Sequence, residues 1–546
     1  MKKLTYLIFI VLCLSIKTGW AQFGTDTMEI YLIKAYYDLS SKHLYAACQW
    51  IFGDCAADLS EVGGEAGGED WAELQESMYH DIKSDNFTLI EYGWRAYTMI
   101  YACNYTIQHA PYSSLSEELK ARYVAEARFI RAMTYFNLAR MFDSIPVLLN
   151  KFEWPMNKKE KFIADMDCMP DNKIYSTCNS LNEILDQVKL DLTEAIPDLL
   201  EKSELSEEQK FCATKGAAKA LLGKVLLYES SYAKNYSGDS RFEGLEERWD
   251  EALDILEQVI NSGEYELVGI NGEKYDTWWN TSYLYAESTP AYRYIFTVDG
   301  NDSPESVFSA RNLLPPDVGW NTYGGNYINV FTTVRDFYYN DNSYWTDGWG
   351  FNCPTDTLLQ EFEAGDPRLP VTIAQEGDSI YLNMDAGLAW YKIDFSSTPT
   401  GMSCRKFECS PPEFWDIVIN VFQGPMNIPV IRFADVILMT AEAALESGNS
   451  QLALEYLNMV RTRARNSGNT GVPADLVTIT LDDIIHERTV ELALEGHRFF
   501  DLVRWGLAEE YLDGLYVKAH DKTATFEAGI DEFYPIPEFI KDRITS

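Results

Sequence analysis

The run from Leu115 to Phe142, LSEELKARYVAEARFIRAMTYFNLARMF, contains neither proline nor glycine and is far too long for a strand. Leu119, Tyr123, Ala127, Ile130, Met133 and Asn137 recur at three- and four-residue spacing, which places them on one face of a helix. Ser116 followed by Glu117 and Glu118 supplies a capped, acidic start that suits the positive end of the helix dipole. A chain holding such an element must bury its apolar face against other helices. EYGWRAYTMIYACNYTIQHA (Glu91 to Ala110), immediately upstream, is the expected first partner.

Two further stretches share this texture. ATKGAAKALLGKVLLYESSYAKN (Ala213 to Asn235) carries Ala217, Ala218, Ala220 and Gly223, small residues that let a neighbouring helix approach closely. RWDEALDILEQVINSGEY (Arg248 to Tyr265) follows it, with Trp249, Ala252, Leu256 and Val259 on one face. The third hairpin, Ile431 to Ala464, turns at Ser447-Gly448-Asn449. Hairpins of this size resemble tetratricopeptide-type units, which bury their faces only when stacked. The expected class is therefore mainly α, with the scaffold spanning mainly 90–265 and 430–510.

Between Gly269 and Pro429 the helical period disappears among Gly, Pro, Asn, Asp and aromatics. Short strand-like pieces such as YRYIFTV (Tyr292 to Val298) are the only regular elements expected there. DFYYNDNSYWTDGWGFN (Asp336 to Asn352) sets Phe337, Tyr338, Tyr339, Tyr344, Trp345, Trp349 and Phe351 among turn formers, which fits neither a core strand nor a core helix. It reads as a loop presenting flat aromatic faces. Long loops on a compact scaffold are usually functional.

The charge balance narrows the partners. With 84 acidic residues against 45 Lys and Arg, the formal charge of −39 repels nucleic acid and anionic membrane surfaces. MKKLTYLIFIVLCLSIKTGWAQ reads as a secretory signal cleaved after Ala21, too short and wrongly flanked to span a bilayer. Residues 22–546 are expected as one domain. Of ten cysteines, Cys13 lies in the signal; Cys168 with Cys178 and Cys404 with Cys409 are sequence-close candidates for pairing, the alternative being buried small hydrophobes. No HExxH, GxSxG, Walker or GxGxxG pattern occurs, and His43, His80, His109, His486, His497 and His520 lack ligand spacing. Neither a metal nor a cofactor is expected.

HERTVELALEGHRFFDLVRWG (His486 to Gly506) carries Arg488, Glu491, Glu495, Arg498, Asp501 and Arg504 at three- and four-residue spacing. On one helix these would form a ladder of ion pairs, each contributing a few tenths of a kcal/mol when exposed. A catalytic reading would select Glu491 and Glu495 as an acid/base couple, but the ladder accounts for every member. This run resembles the C-terminal signature of the SusD/RagB family, surface glycan-binding partners of TonB-dependent transporters in Bacteroidetes. EARFIRAMTYFNLARMFDSIPVL (Glu126 to Leu148), ATKGAAKALLGKVLLY (Ala213 to Tyr228), PESVFSA (Pro304 to Ala310), GDPRL (Gly365 to Leu369), Asn427 to Leu445 and FYPIP (Phe533 to Pro537) follow in family order.

The resemblance implies four tetratricopeptide-like units supporting a loop-rich, ligand-binding face located mainly in 269–429. It also implies a SusC-like TonB-dependent transporter as partner, with this chain as a lid at the outer-membrane surface, and no catalysis. Family members are usually lipidated on a cysteine ending the signal; Cys13, preceded by bulky Leu12, is a poor site for that. The implied glycan site draws on an early loop and the middle of the chain.

Sugar rings offer a C–H face to an aromatic ring and hydroxyls to polar side chains at its edge, and rigid aromatics lose little rotamer entropy on binding. Trp345 and Trp349 with Asp341, Asn342 and Asp347 supply both needs. Trp320, Tyr323 and Tyr327 around Gly324-Gly325, and Trp71 in EVGGEAGGEDWAEL (Glu61 to Leu74), extend the set. For each aromatic, burial against the scaffold is the alternative. A peptide or other non-glycan nutrient on the same fold, and a secreted glycosidase, are the rival readings of function. The acidic balance disfavours a polyanionic glycan unless local cations such as Arg335 or Arg311 override it.

Overall fold

The computed structural model describes residues 26–41, 43–64, 72–149, 177–275, 291–311, 327–333, 348–376, 378–384, 387–392, 398–407, 426–468, 471–542 and 544. Its scaffold is a succession of helix pairs: α1 (Thr27–Leu39) with α2 (Phe87–His109), α3 (Glu117–Met141) with α4 (Leu181–Ala195), α5 (Lys215–Asn235) with α6 (Trp249–Ile260), and α7 (Phe433–Glu446) with α8 (Ser450–Ser467). Each pair also packs on the next, α2 on α3, α4 on α5 and α6 on α7. The four units implied by the resemblance are these pairs. α1 and α4 were not foreseen; they complete the units to which α2 and α3 belong.

Local chemistry explains the helix ends. Ser116 caps α3 by accepting from the Leu119 N–H, as its position before Glu117 and Glu118 suggested. Ser180 with Glu183 forms a reciprocal capping box at α4. Thr214 and Asn449 cap α5 and α8. Gly223 is needed where α5 crosses α6, because a Cβ there would lie 2.5 Å from the Leu256 side chain.

α3 departs from the one-faced pattern. Its first two turns are half-exposed, but from Ala125 to Met141 only Arg128 escapes burial, since α2 and α4 flank it and α1 and α5 also reach it. The core therefore runs through α3.

The expected strand at Tyr292–Val298 does not form. Ala291–Tyr294 is a short helix followed by turns, and burial there is continuous rather than alternating. The phenol of Tyr292 donates to the Glu491 carbonyl at 2.6 Å, so packing and this bond outweigh strand propensity. The sheets among the described residues are two-stranded, and several join distant segments. β1 (Ser60–Gly63), β2 (Ser306–Ala310), β3 (Phe351–Pro354) and β4 (Ile428–Arg432) pair antiparallel as β1–β3 and β2–β4. β4 runs directly into α7.

The signature run also differs from expectation. It forms two helices, α9 (Leu481–Glu491) and α10 (Arg498–Arg504), separated by a turn with positive φ at Leu494 and Gly496. Its charges are buried, and apart from Asp501 with Arg504 they pair across the fold instead of along one face. Glu491 meets Arg463, Arg432 and Arg368; Glu495 meets Arg432 and Lys406; Glu487 meets Arg368 and Arg461. Glu305 joins Arg463 and Arg432, and Asp366 joins Arg368. Five carboxylates thus meet five cations.

Beside this cluster, Lys224 and Arg488 share Asp435, Arg488 and Arg504 share Asp501, and Arg504 holds Glu442. Burial alone would raise the Glu491 carboxyl, but Arg463, Arg432 and Arg368 outweigh it and pull it down to about 2. PESVFSA supplies Glu305, GDPRL supplies Asp366 and Arg368, and the start of α7 supplies Arg432 and Asp435. The short motif blocks are therefore contributors to connected buried charge clusters that fasten the loop-rich layer to the helices.

Cys48, Cys55, Cys103, Cys212, Cys353 and Cys404 are buried free thiols and Cys178 is a partly exposed one. Neither sequence-close pairing is formed, because Cys178 and Cys404 are both free; Cys168 and Cys409 lie outside the described residues. No helix among the described residues is long and apolar enough to cross a membrane. The signal segment also lies outside them.

Candidate functional site

β1 and β3 build the floor of the candidate site. Ser60 faces Pro354, Glu61 faces Cys353 and Gly63 faces Phe351. Gly63 adopts φ +75 and a Cβ on it would lie 2.2 Å from the Gly350 carbonyl, so this crossing requires glycine. The Gly64 N–H donates to the same carbonyl at 3.0 Å. A third segment is stitched on by backbone bonds, with Trp349 N–H donating to Val330 at 2.7 Å and Gly350 N–H to Thr333 at 3.0 Å.

Aromatic rings fill the space between these strands. Phe331 lies 5.3 Å from Trp349, 6.2 Å from Phe351 and 6.3 Å from Trp50, measured between ring centroids, and Tyr327 stacks on Phe331 at 5.9 Å. Trp50, Tyr327, Phe331 and Phe351 are buried, whereas Trp349 is partly exposed at the edge of the cluster. Such a seat holds the partly exposed Trp349 ring in a fixed orientation.

Of the residues singled out from sequence, Trp349 is therefore placed on this floor. Trp71, Trp320, Tyr323, Asp341, Asn342, Trp345 and Asp347 lie outside the described residues, as do Trp278 and Trp279. What is described is where their flanking chain lies: Gly64, Tyr327, Thr333 and Gly348 all belong to the stitched floor. Tyr327, expected among the exposed aromatics, is instead buried against Phe331, and neither Trp50 nor Phe331 was identified from sequence as support. Only the spacing of Trp349 and Phe351 two residues apart hinted at a strand with one buried face.

A second feature borders the other end of β1. A cavity of about 370 Å³ is lined by Asp58, Ser60, Glu61, Asp356, Thr357, Thr400, Tyr516 and Lys518. Its size falls in the range of small-ligand sites, and these polar groups sit among apolar ones, Ala57, Met78, Leu515 and Val517. Asp58 is committed to Arg498 at 2.8 Å, and Glu61 accepts the Lys518 and Ala519 N–H groups, each at 2.8 Å. Burial raises Glu61 above the ordinary carboxyl range despite those bonds.

Asp54 ties this floor to the signature turn. Its carboxylate accepts the Gly496 N–H at 2.9 Å, and Asn352, which follows Phe351, donates to it at 3.5 Å while accepting from Ser60 at 2.6 Å. Burial pushes Asp54 up to about 7. The proposed acid/base couple is not available for proton transfer to a ligand: Glu491 is fully buried among arginines, and the Glu495 carboxylate is held by Arg432 and Lys406. No group of three His, Cys, Asp or Glu among the described residues could hold a metal ion.

Comparison with known proteins places this geometry. The family described as SusD family matches residues 291–538, and the one described as starch-binding associating with outer membrane matches residues 57–227. A SusD-like protein of Bacteroides ovatus is 28% identical over 409 residues, 72% of this chain and 60% of the relative, so the match spans less than two thirds of that relative's length. SusD-like protein P38 of Formosa agariphila is 24% identical over 90% of this chain and 86% of its own. A solved laminarin binding SusD-like protein superposes with a TM-score of 0.69 at 26% identity, covering 95% of this chain and 98% of that one.

Proposed function

Because the chain belongs to the SusD family, we propose that it binds an oligosaccharide or polysaccharide at the cell surface without catalysis. It would deliver that glycan to a partner TonB-dependent outer-membrane transporter. The observation that carries this reading is the seating of Trp349: a partly exposed indole fixed by Phe331 and Phe351 on strands whose ends flank the other candidate aromatics. A fixed indole is the platform that a pyranose C–H face requires. The cavity on the same strand offers Asp356, Thr357 and Tyr516 as partners for hydroxyls. The full-length likeness to a laminarin binding protein supports a glycan over a peptide.

Calorimetric titration of the purified protein with a panel of neutral and charged oligosaccharides tests this, beside a Trp345→Ala/Trp349→Ala variant. Saturable binding abolished in the folded variant is the expected result. Sugar binding that survives the double substitution would move the site away from this floor, and no binding to any sugar would favour a peptide ligand. Release of shorter products from any oligosaccharide by the pure protein would overturn the non-catalytic reading. Co-purification with an outer-membrane transporter is the corresponding test of partnership.

A further inference from the structure

A second pocket lies where β2 and β4 meet the segment joining α4 to α5, with a volume of about 120 Å³. Its lining inverts the charge of the chain. Lys202, Lys210 and Arg311 face it against one carboxylate, Asp302, in a protein with 84 acidic residues and 45 Lys and Arg. Asp302 is already bidentate to Arg311 at 2.6 and 2.8 Å. Lys210 pairs at 2.7 Å with Glu207, whose side chain is largely solvated.

Two donors at the pocket are not satisfied. The Lys202 ammonium gives two hydrogen bonds to the carbonyls of Ser303 and Ser306, at 2.9 and 2.7 Å, and lies 5.0 Å from the centre of the Tyr265 ring, with no carboxylate in ion-pair contact among the described residues. An ammonium has three N–H groups and no acceptor, so one N–H of the cation is left without a hydrogen-bond acceptor. Asn427 is only 7% exposed, yet its side-chain Nδ2 has no hydrogen-bond partner. Buried polar groups are nearly always paired, and an unpaired one calls for a missing partner. That partner must accept, and beside Lys202 it is favoured when negative.

We infer that this pocket binds the carboxylate end of a small organic ligand, held by Lys202 and the Asn427 amide against the ring of Phe308. The volume approaches the 150 Å³ or so that admits a benzene ring, which limits the occupant to one ring or a shorter acid. The shared chemistry is a carboxylate on a compact body, from a simple organic acid or from a sugar acid. The inference stands apart from the glycan site at Trp349 and does not require it.

Calorimetric titration of the purified protein with acetate, D-glucuronate and uncharged glucose reads the site, and the side-chain amide signals of Asn427 in the wild-type protein give a readout free of mutation. A saturable carboxylate isotherm, a shift of the Asn427 amide on addition, and no response to glucose are expected. Asn427→Asp, which keeps the shape but replaces the free donor by a repelling carboxylate, should weaken binding at least tenfold, and Lys202→Met likewise. Equal affinity for both acids assigns a simple organic acid; glucuronate at least tenfold tighter assigns a sugar acid. No saturable binding of either acid, an unmoved Asn427 amide, or wild-type affinity in folded Asn427→Asp would overturn the inference. Neutral-oligosaccharide binding, lost with Trp349 and kept with Asn427→Asp, reports separately on the glycan reading.

Discussion

The Arg368 guanidinium lies 2.6 Å from the Glu487 carboxylate with neither side chain reaching solvent, and it joins the loop-rich layer to α9. Arg368 also holds Asp366 and Glu491, so one cation satisfies three acids. Geometry of this kind depends on the planar fork of arginine, which a lysine does not reproduce.

Removing one partner from this cluster should therefore be costly. Glu491→Gln leaves Arg463, Arg432 and Arg368 facing each other with less compensation, and a loss of about 3–5 kcal/mol is expected. Urea unfolding monitored by circular dichroism measures it. A change under 1 kcal/mol would mean that the cluster is solvated and contributes little.

Phe331 and Trp349 should separate folding from binding. Phe331 is fully buried at the centre of the ring cluster, and Phe331→Ala should cost about 3–5 kcal/mol of stability. Trp349→Ala removes a ring that is partly exposed and should weaken oligosaccharide affinity while the melting temperature falls much less. The pair of variants is read by thermal unfolding beside calorimetry, and equal destabilisation by both would identify Trp349 as a packing residue.

The backbone contact at Gly53 predicts a strict requirement for glycine. A Cβ there would sit 2.2 Å from the Gly496 carbonyl, inside the turn that separates α9 from α10. No flexible side chain can move aside, so Gly53→Ala should destabilise by roughly 3 kcal/mol, toward the upper end for overpacking. Denaturant midpoints decide it; a neutral effect would show that the turn relaxes freely.

Acidification should act through His497. Burial, with Lys224 3.5 Å away, holds its imidazole down at about 3 against an ordinary 6.5. Below pH 6.5 the unfolded chain binds a proton on this residue that the folded chain refuses until about pH 3. Stability contributed by the neutral imidazole is thus present above pH 6.5 and is lost as pH falls through that window, by about 1.4 kcal/mol per pH unit. His497→Gln should remove this component. Midpoints compared at pH 7, 6 and 5 would show the variant falling less steeply than wild type, and parallel profiles would contradict the assignment.

Much of the scaffold was legible because helices are encoded locally. The helical period from Leu119 to Asn137 and the Ser116 cap depend on residues within a few turns and form the helix expected, although neighbours on several sides bury more than the one face; Gly223 allows the close approach expected of it, against Leu256. α4 was overlooked although Ser180 and Glu183 spell a capping box, a signal present in the sequence but not used. Tyr292–Val298 misled because aromatic and β-branched residues favour strands only when a pleated surface awaits them, and here a buried carbonyl and continuous packing awaited Tyr292 instead.

By itself the sequence determined the helix periods, their caps and the order of the motif blocks that mark the family. Only the tertiary structure decided what those blocks do. Glu305 and Arg463 stand 158 residues apart yet meet at 3.0 Å, and the charges between Arg488 and Arg504 turn inward because Gly496 and Leu494 break the helix that would have aligned them outward. The same holds at Trp349, whose seat is built by Phe331 and Phe351 and fastened to Gly63 from the far end of the chain. Helical periodicity is a property of neighbours, whereas burial of a charge or partial exposure of an indole is set by which distant segments the packed core brings against it.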